Sequence, residues 1–414
     1  MRKGGKDVAA TEPGRHPVDG PLSGLVVADF SRVLAGPYCT MLLADLGADV
    51  IKVESPAGDD TRHWVPPVRH EDDGADVGTY YLAVNRNKRS IVLDFADPED
   101  LRVAQDLAAR ADIVIQNFKP GGLLRFGLDY DSVRAVNPGA VYCSISGFGA
   151  DKGAHLPGYD LLVQAVSGLM SLTGSPDGPP YRAGISVFDV MTGLQSAIGI
   201  LAALRHRDAT GEGQHVETNL LSTALSSLVN QTSAYVAGGV VPGRLGNAHL
   251  SLFPYEPLQA ADGELIVIAG NDRQFRALAG VLGIPEVADD PRFATVYDRN
   301  VHREELRPVL LERLATKTAK EWFDLLTQAG IPAGPINDIR GGVELAEELG
   351  LDPVVNAGDV PTVRNPLRLS ETPASYRLAP PRLDEHGDEI RAWLGRTPHP
   401  HPVRQLDDPP VPSA

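Results

Sequence analysis

Short apolar runs rich in β-branched residues alternate with helically spaced stretches through the first third of the chain. LVVADF (Leu25 to Phe30) reads as a buried parallel strand, SRVLAGPYCTMLLADLGA as a helix stopped at Gly47, and DVIKVE (Asp49 to Glu54) as a second strand. Such a β-α-β unit is the building block of a doubly wound sheet. The polar, Pro- and Gly-rich stretch from Ser55 to Tyr81 reads as a long loop. NRNKRSIVLDF (Asn85 to Phe95) returns to strand, with Arg86, Lys88 and Arg89 at its head. DPEDLRVAQDLAARA predicts a helix capped by Asp97 with Pro98 in its first turn. DIVIQNF (Asp112 to Phe118) and AVYCSISGFG predict two further strands with a loop and helix between them. The alternation is that of an α/β fold with a largely parallel sheet.

PGYDLLVQAVSGLMSLTG (Pro157 to Gly174) predicts one helix, with Gly168 inside it where a neighbour packs closely. RAGISVFDVMTGLQSAIGILAAL (Arg182 to Leu204) then predicts a short strand over Ile185 to Phe188, an acid at Asp189, and a helix of small and apolar residues. A carboxylate at such a junction is either a helix cap or a reactive group, because burial raises its pKa and nearby N–H donors lower it. After a turn at Thr210 to Gly213, a strand and a long helix lead to Gly238 and Gly239. From Arg244 the pattern shifts to strand periodicity with a hairpin-like ADGE turn, followed by two helical segments. This predicts a second, smaller α+β domain. The expected layout is a flexible leader over 1–20, a large domain over 21–225, a linker helix and small domain over 226–335, a return to the large domain over 336–395, and a Pro-rich tail over 396–414. The pieces from GIPAGPIN onward are too short for a core of their own.

At 414 residues, two or three domains are the default, and 43% hydrophobic with 22% charged residues is the balance of a globular protein. No apolar run reaches the roughly 20 residues of a bilayer span, so no membrane segment is expected. The net charge of −16 argues against nucleic acid or anionic membrane as a partner, while leaving room for an anionic small ligand where basic residues gather. Cys39 and Cys143 are too few for a disulfide framework, which fits a reducing cytoplasm.

Ligands of open parallel sheets bind beyond the carboxyl ends of the strands. Those ends carry Asp29 and Phe30 into SRVLAG, Glu54, Asn117-Phe118-Lys119, and Ser146 to Gly149. The first strand-to-helix turn lacks G-x-G-x-x-G and no GxxxxGK[ST] loop occurs, so nicotinamide and P-loop chemistry are disfavoured. His63, His70, His206, His215, His249 and His302 show no HExxH or paired spacing, and no metal site is expected.

Six phrases, taken together and in order, resemble one family: PLSGLVVADFSRVLAGPYCTMLLADLGADVIKVESPAGDDTR, NRNKRSIVLD, QNFKPGGLLRFGLDY, PGYDLLVQAVSGLMSLTG, TGEGQHVE and GIPAGPIN. The chain is similar to the class III CoA-transferases, the L-carnitine dehydratase and bile-acid-inducible protein family. The resemblance implies a discontinuous Rossmann-like large domain, a smaller domain inserted late, and an interlocked homodimer. It implies coenzyme A or acyl-CoA as substrate, with a carboxylic acid acceptor and no permanently bound cofactor. It places the catalytic carboxylate at Asp189, in VFDVMTG, with backbone N–H groups at the helix start steadying an oxyanion. Its CoA contacts carry over to Arg32, Val33 and Ala35 in the first loop, to Leu93, and to the Asn117-Phe118 pair. Lys88, Arg89 and Arg125 are its expected cations near the phosphates.

Two departures bear on substrate. Leu34 stands where formyl-CoA:oxalate members carry glutamine, and LGNAHLSLFPYE replaces their glycine run. An oxalate-specific enzyme is therefore disfavoured, and Leu34, Phe253 and Tyr255 suggest a larger or less polar acyl group. His249, in the same replaced segment, is a candidate for approaching that group. The rival reading within this fold is an α-methylacyl-CoA racemase, which exchanges an α-proton between two bases. Those enzymes carry a histidine in a GHD phrase, where this chain has Gly158-Tyr159-Asp160. Tyrosine, with an ordinary pKa near 10, is a poor proton acceptor at neutral pH. A third reading is a non-catalytic CoA-binding protein.

Overall fold

The computed structural model describes residues 20–70 and 76–396, which form two compact units. The expected leader, save Gly20, and the expected tail, save Arg396, lie outside the described residues. The larger unit takes the chain through Ser167, then Gly184–Thr232, then resumes at Asp352. The smaller unit takes Gly168–Ala183 and Ser233–Leu351.

In chain order, the larger unit begins with β1 (Val26–Asp29), α1 (Ala35–Asp45) and β2 (Asp49–Glu54). The stretch read as a plain loop holds a 3-10 turn at Asp60–His63 and a small antiparallel hairpin, β3 (Val68–His70) with β4 (Asp76–Gly78). There follow α2 (Thr79–Val84), β5 (Lys88–Val92), α3 (Pro98–Arg110), β6 (Ile113–Gln116), α4 (Tyr130–Val136) and β7 (Val141–Ser146). Asp97 caps α3 as the sequence predicts, its carboxylate accepting from Glu99 N and Asp100 N.

The segment read as one helix over 157–174 is two, α5 (Asp160–Val166) and α6 (Leu169–Leu172). Gly168 sits between them at φ 101°, outside helical space and open to glycine at little strain. The strand expected over Ile185 to Phe188 does not form. The chain stays irregular until α7 (Val187–Thr210), which therefore contains Asp189 in its first turn. Only the first β-branched residue of that run precedes the helix, too few to pair with a sheet. β8 (His215–Asn219) and α8 (Leu220–Ser227) complete this part.

The sheet runs β5-β2-β1-β6-β7-β8, every neighbouring pair parallel. Numbered along the chain, its six strands lie 3-2-1-4-5-6, the Rossmann order, which reverses between β1 and β6. On one face Val26, Ala28, Ile51, Ile91 and Val114 pack against Leu101, Ala104 and Leu107 of α3 and Ile390 and Trp393 of the last helix. On the other lie α1 and α7, which approach closely where Gly193 meets α1. A Cβ there would stand 2.7 Å from the Ala35 carbonyl oxygen.

α7, at 24 residues, is long and apolar enough by length and composition to cross a bilayer, which corrects the expectation that no such run exists. Its Thr192, Gly193, Ser196, Ala197 and Ile200 are buried within the sheet unit, as in the core helix of a folded domain. Leu194, Ile198 and Leu201 on the same helix are exposed.

The smaller unit is built on a three-stranded antiparallel sheet. The hairpin β9 (Tyr255–Gln259) and β10 (Glu264–Ile268) takes β11 (Ala333–Pro335) on its other edge. GIPAGPIN therefore supplies a strand here instead of starting the return, which begins at Asp352. Phe253, Leu258, Leu265, Phe275, Leu306, Leu310 and Trp322 form its core.

Candidate active site

The site is built on the two strands between which the sheet order reverses. Beyond β1 the chain turns through Ser31 to Leu34 into α1, and beyond β6 it passes Asn117 and Phe118. The Asn117 amide bridges the two ends: Arg32 N donates to its Oδ1 at 3.0 Å, and its Nδ2 donates to the Arg32 carbonyl at 2.7 Å. Asn117 thus braces the loop across the sheet instead of its own turn.

Val33 adopts φ 70°, left-handed backbone that a β-branched residue occupies only under constraint. The constraint is Asp59, whose carboxylate accepts from Val33 N at 3.2 Å. Asp59 is itself held by Lys52 Nζ at 2.8 Å and by the Thr61 N–H and hydroxyl. Burial pushes the Asp59 carboxyl up, but Lys52 and these hydrogen bonds bring it down to about 2.

Above this loop lies a cavity of about 850 Å³. It brings together nine residues singled out in the sequence: Arg32, Val33, Leu34, Ala35, Asn117, Phe118, Arg125, Tyr159 and Asp189. Lys119, a neighbour of the Asn117-Phe118 pair, lines it as well. Arg125 rests its guanidinium over the Phe126 ring at 4.5 Å, and Arg32, largely exposed, pairs with Asp60 at 3.2 Å.

Three expected residues are buried in the larger unit outside the cavity lining, and a fourth, His249, belongs to the smaller unit. Lys88 is 0% exposed, its ammonium donating to Asp29 Oδ2 (3.2 Å), the Pro37 carbonyl (2.9 Å) and Asn85 Oδ1 (3.0 Å). Burial pushes its pKa down to about 8 against the pull of Asp29, so it stays largely charged at neutral pH. Arg89 is buried too, paired with Asp49 at 2.5 Å and Glu389 at 3.0 Å. Leu93 belongs to the core packed under α3. Lys88 and Arg89 sit on β5 and Leu93 follows it, and all three are buried and absent from the cavity lining. His249 lies in the smaller unit, its ring 5.0 Å from that of Tyr255, and Phe253, 1% exposed, fills that unit's core. Phe253 is therefore a core residue, which removes its support for a larger or less polar acyl group.

Asp189 is the third residue of α7, partly exposed into the cavity. It does not cap its helix. The cap comes from Asp160, at the start of α5: its Oδ1 accepts from Phe188 N at 2.8 Å and Asp189 N at 3.2 Å. The N–H groups expected to steady an oxyanion are thus engaged by another carboxylate. Among the described residues no hydrogen-bond donor reaches the Asp189 carboxylate. Burial, and then the charge of Asp160, push its pKa up to about 7. The pairing of Asp160 with Asp189 spans 29 positions and has no local signal, although an acid opening the helix after Gly158-Tyr159 is readable in the sequence. No cluster of three or more His, Cys, Asp or Glu suited to a metal ion occurs among the described residues.

A doubly wound sheet with a cavity at its switch point and one basic carboxylate, without a protein donor, lining it is the arrangement of an α/β enzyme that seats a ligand beside a nucleophile or base. The chain belongs to CoA-transferase family III, whose model matches residues 22–387. It is 46% identical over 402 residues to a succinate–glutarate CoA-transferase of Agrobacterium fabrum, covering 92% of this chain and 97% of that protein. It is 38% identical over 376 residues to an acetyl-CoA:oxalate CoA-transferase of Acetobacter aceti, covering 90% and 95%. Among solved structures, a CAIB/BAIF family protein from Brucella suis matches with a TM-score of 0.82 at 43% identity, covering 91% of this chain and all of that one. The chain is accordingly an enzyme of the CoA-transferase class.

Proposed function

We propose that the protein transfers coenzyme A between two small dicarboxylic acids, with Asp189 as the covalent carrier. The observation that carries this reading is the carboxylate itself, free of donors and facing the cavity at the sheet's switch point.

An Asp189 oxygen attacks the thioester carbonyl, and the C–S bond breaks to expel CoA thiolate, leaving a mixed acyl-aspartyl anhydride. The thiolate attacks the aspartyl carbonyl, forming an enzyme–CoA thioester and releasing the donor acid. The incoming carboxylate attacks that thioester, expels the thiolate and forms a second anhydride. Attack of the thiolate on its acyl carbonyl yields the new acyl-CoA and restores Asp189. Each step exchanges one carboxylate or thiolate for another, so thioester energy is kept provided water is excluded.

CoA would lie along Arg32 to Ala35 and the Asn117-Phe118 pair, with its phosphates near Arg125, Lys119 and Arg32. These cations take the place of Lys88 and Arg89. The choice of dicarboxylates rests on the relatives, which are named for succinate and glutarate, for oxalate, and for mesaconate. We also assign an interlocked homodimer, since exposed Leu161, Leu162 and Val166 of α5 and Leu194, Ile198 and Leu201 of α7 offer apolar surface for a second copy. A cytoplasmic setting suits the two buried free thiols, Cys39 and Cys143. The racemase reading is weaker, because Tyr159 occupies the position of its base and no histidine lines the cavity among the described residues.

The test is to incubate the enzyme with succinyl-CoA without acceptor and follow intact mass after hydroxylamine or borohydride trapping. A hydroxamate or CoA adduct on Asp189, lost in Asp189→Ala, is expected, as is CoA transfer on adding glutarate. Exchange of an α-proton for deuterium without any adduct would refute the reading.

A further inference from the structure

We propose that Asp160 is a positioning residue for the transfer reaction, which acts on Asp189 by taking the N–H groups of Phe188 and Asp189 and setting its own carboxylate beside that residue. The inference rests on the reading of Asp189 as nucleophile.

A carboxylate at the third position of a helix ordinarily gains from the helix start. It can reach back to the N-cap N–H, and it sits in the positive end of the helix dipole. α7 withholds these. Its N-cap residue, Ser186, makes no side-chain cap bond, and the N–H groups of Phe188 and Asp189 both point to Asp160 Oδ1. Asp160 is 6% exposed, and its other oxygen accepts from Gln164 Nε2. That same amide, fully buried, donates to the Ile185 carbonyl at 3.1 Å. Two side chains of one α5 turn therefore clamp the start of α7. The clamp anchors the backbone at Asp189, engages its own N–H and that of Phe188, and sets a second negative charge beside it.

Both electrostatic effects raise the proton affinity of Asp189, and a more basic, less solvated carboxylate is a stronger nucleophile. Acylation then converts Asp189 to a neutral anhydride or thioester, which relieves its repulsion with Asp160. The arrangement thus favours the covalent intermediates over the resting carboxylate, whereas a cap serving stability alone would leave the ionisation of Asp189 unmoved.

The discriminating measurement is the pH dependence of Asp189 trapping by succinyl-CoA, in the wild type and in Asp160→Asn and Asp160→Ser. Both replacements keep an oxygen able to cap the helix and remove the charge. The wild-type midpoint is expected near 7, and in a folded neutral variant it should fall by about one unit or more. At pH 6 the ionised share of Asp189 then rises about fivefold. A midpoint that stays put in a folded variant, with the wild type still forming adduct, overturns the inference alone. A wild-type midpoint in the ordinary carboxylate range overturns it even if neither variant folds. Absence of any adduct in the wild type removes the nucleophile reading and this inference with it.

Discussion

Lys88 separates two accounts of the same basic cluster. By resemblance it is a phosphate contact; in the structure it is the buried partner of Asp29. Replacing it by methionine keeps much of the volume and deletes the charge. Three hydrogen bonds go with the ammonium, to Asp29, Pro37 and Asn85. Asp29, also fully buried, keeps its bonds from Ser31 and Thr40 and the field of Lys52 but loses the cation bonded to it. Removing one member of a buried ion pair costs about 3–5 kcal/mol, because the other charge stays behind unpaired. For a chain of this size that is roughly 5–15 °C in the melting temperature of the larger unit.

The assay is thermal or urea unfolding of the wild type, Lys88→Met, Asp29→Asn and the double variant, alongside KM for acyl-CoA. Coupling is expected: the double variant should be more stable than the two single effects summed, by about 1–3 kcal/mol, since neither charge remains to be stranded. A Lys88→Met protein that melts with the wild type but shows a many-fold higher KM would refute the structural account and restore the phosphate role.

Asn117→Ala should raise KM for acyl-CoA about tenfold while lowering stability by only about 1–2 kcal/mol, since two bonds to the Arg32 backbone are lost at a partly exposed position; an unchanged KM would mean the loop holds its shape without them. Gly193→Val should destabilise by roughly 1–3 kcal/mol in urea unfolding, because a Cβ 2.7 Å from the Ala35 carbonyl forces α7 off α1, and wild-type stability would contradict that close packing. Asp189→Asn should be inactive yet more stable than the wild type, with a sign set by linkage. The native pKa of about 7 lies above that of the unfolded chain, so the native state binds more protons and wild-type stability falls as pH rises from about 4 to 7. The advantage of the Asn variant should therefore grow over that window and level off above it, and a pH-independent difference in melting temperature would show that Asp189 titrates normally.

The parallel strands were legible because each is a short β-branched run with no polar alternation, the mark of burial on both faces. The α3 cap was legible because Asp97-Pro98 acts within one turn. What failed were features decided at long range. Arg86, Lys88 and Arg89 look in sequence like a solvated basic patch beside a strand. Each is neutralised by a carboxylate on an earlier element: Arg86 by Asp45 at 2.6 Å, Lys88 by Asp29 and Arg89 by Asp49. Spacing along the chain carries no trace of those pairings.

Asp189 shows the same limit from the other side. Its place in the cavity was legible, since a family phrase and a helix start coincide there, but its ionisation was not. The local sequence offers an acid in the first turn of a helix, a setting that lowers a carboxylate pKa. The sign is reversed first by burial and then by the charge of Asp160, 29 positions upstream, which also takes the N–H of Asp189. Asp29 and Asp59, a short way below the cavity, each have a lysine and several donors. Asp189 has none among the described residues, so the acid that lines the cavity is the one of these three without a donor. Such a group is retained at a cost in stability, which gives its removal a measurable consequence besides lost activity.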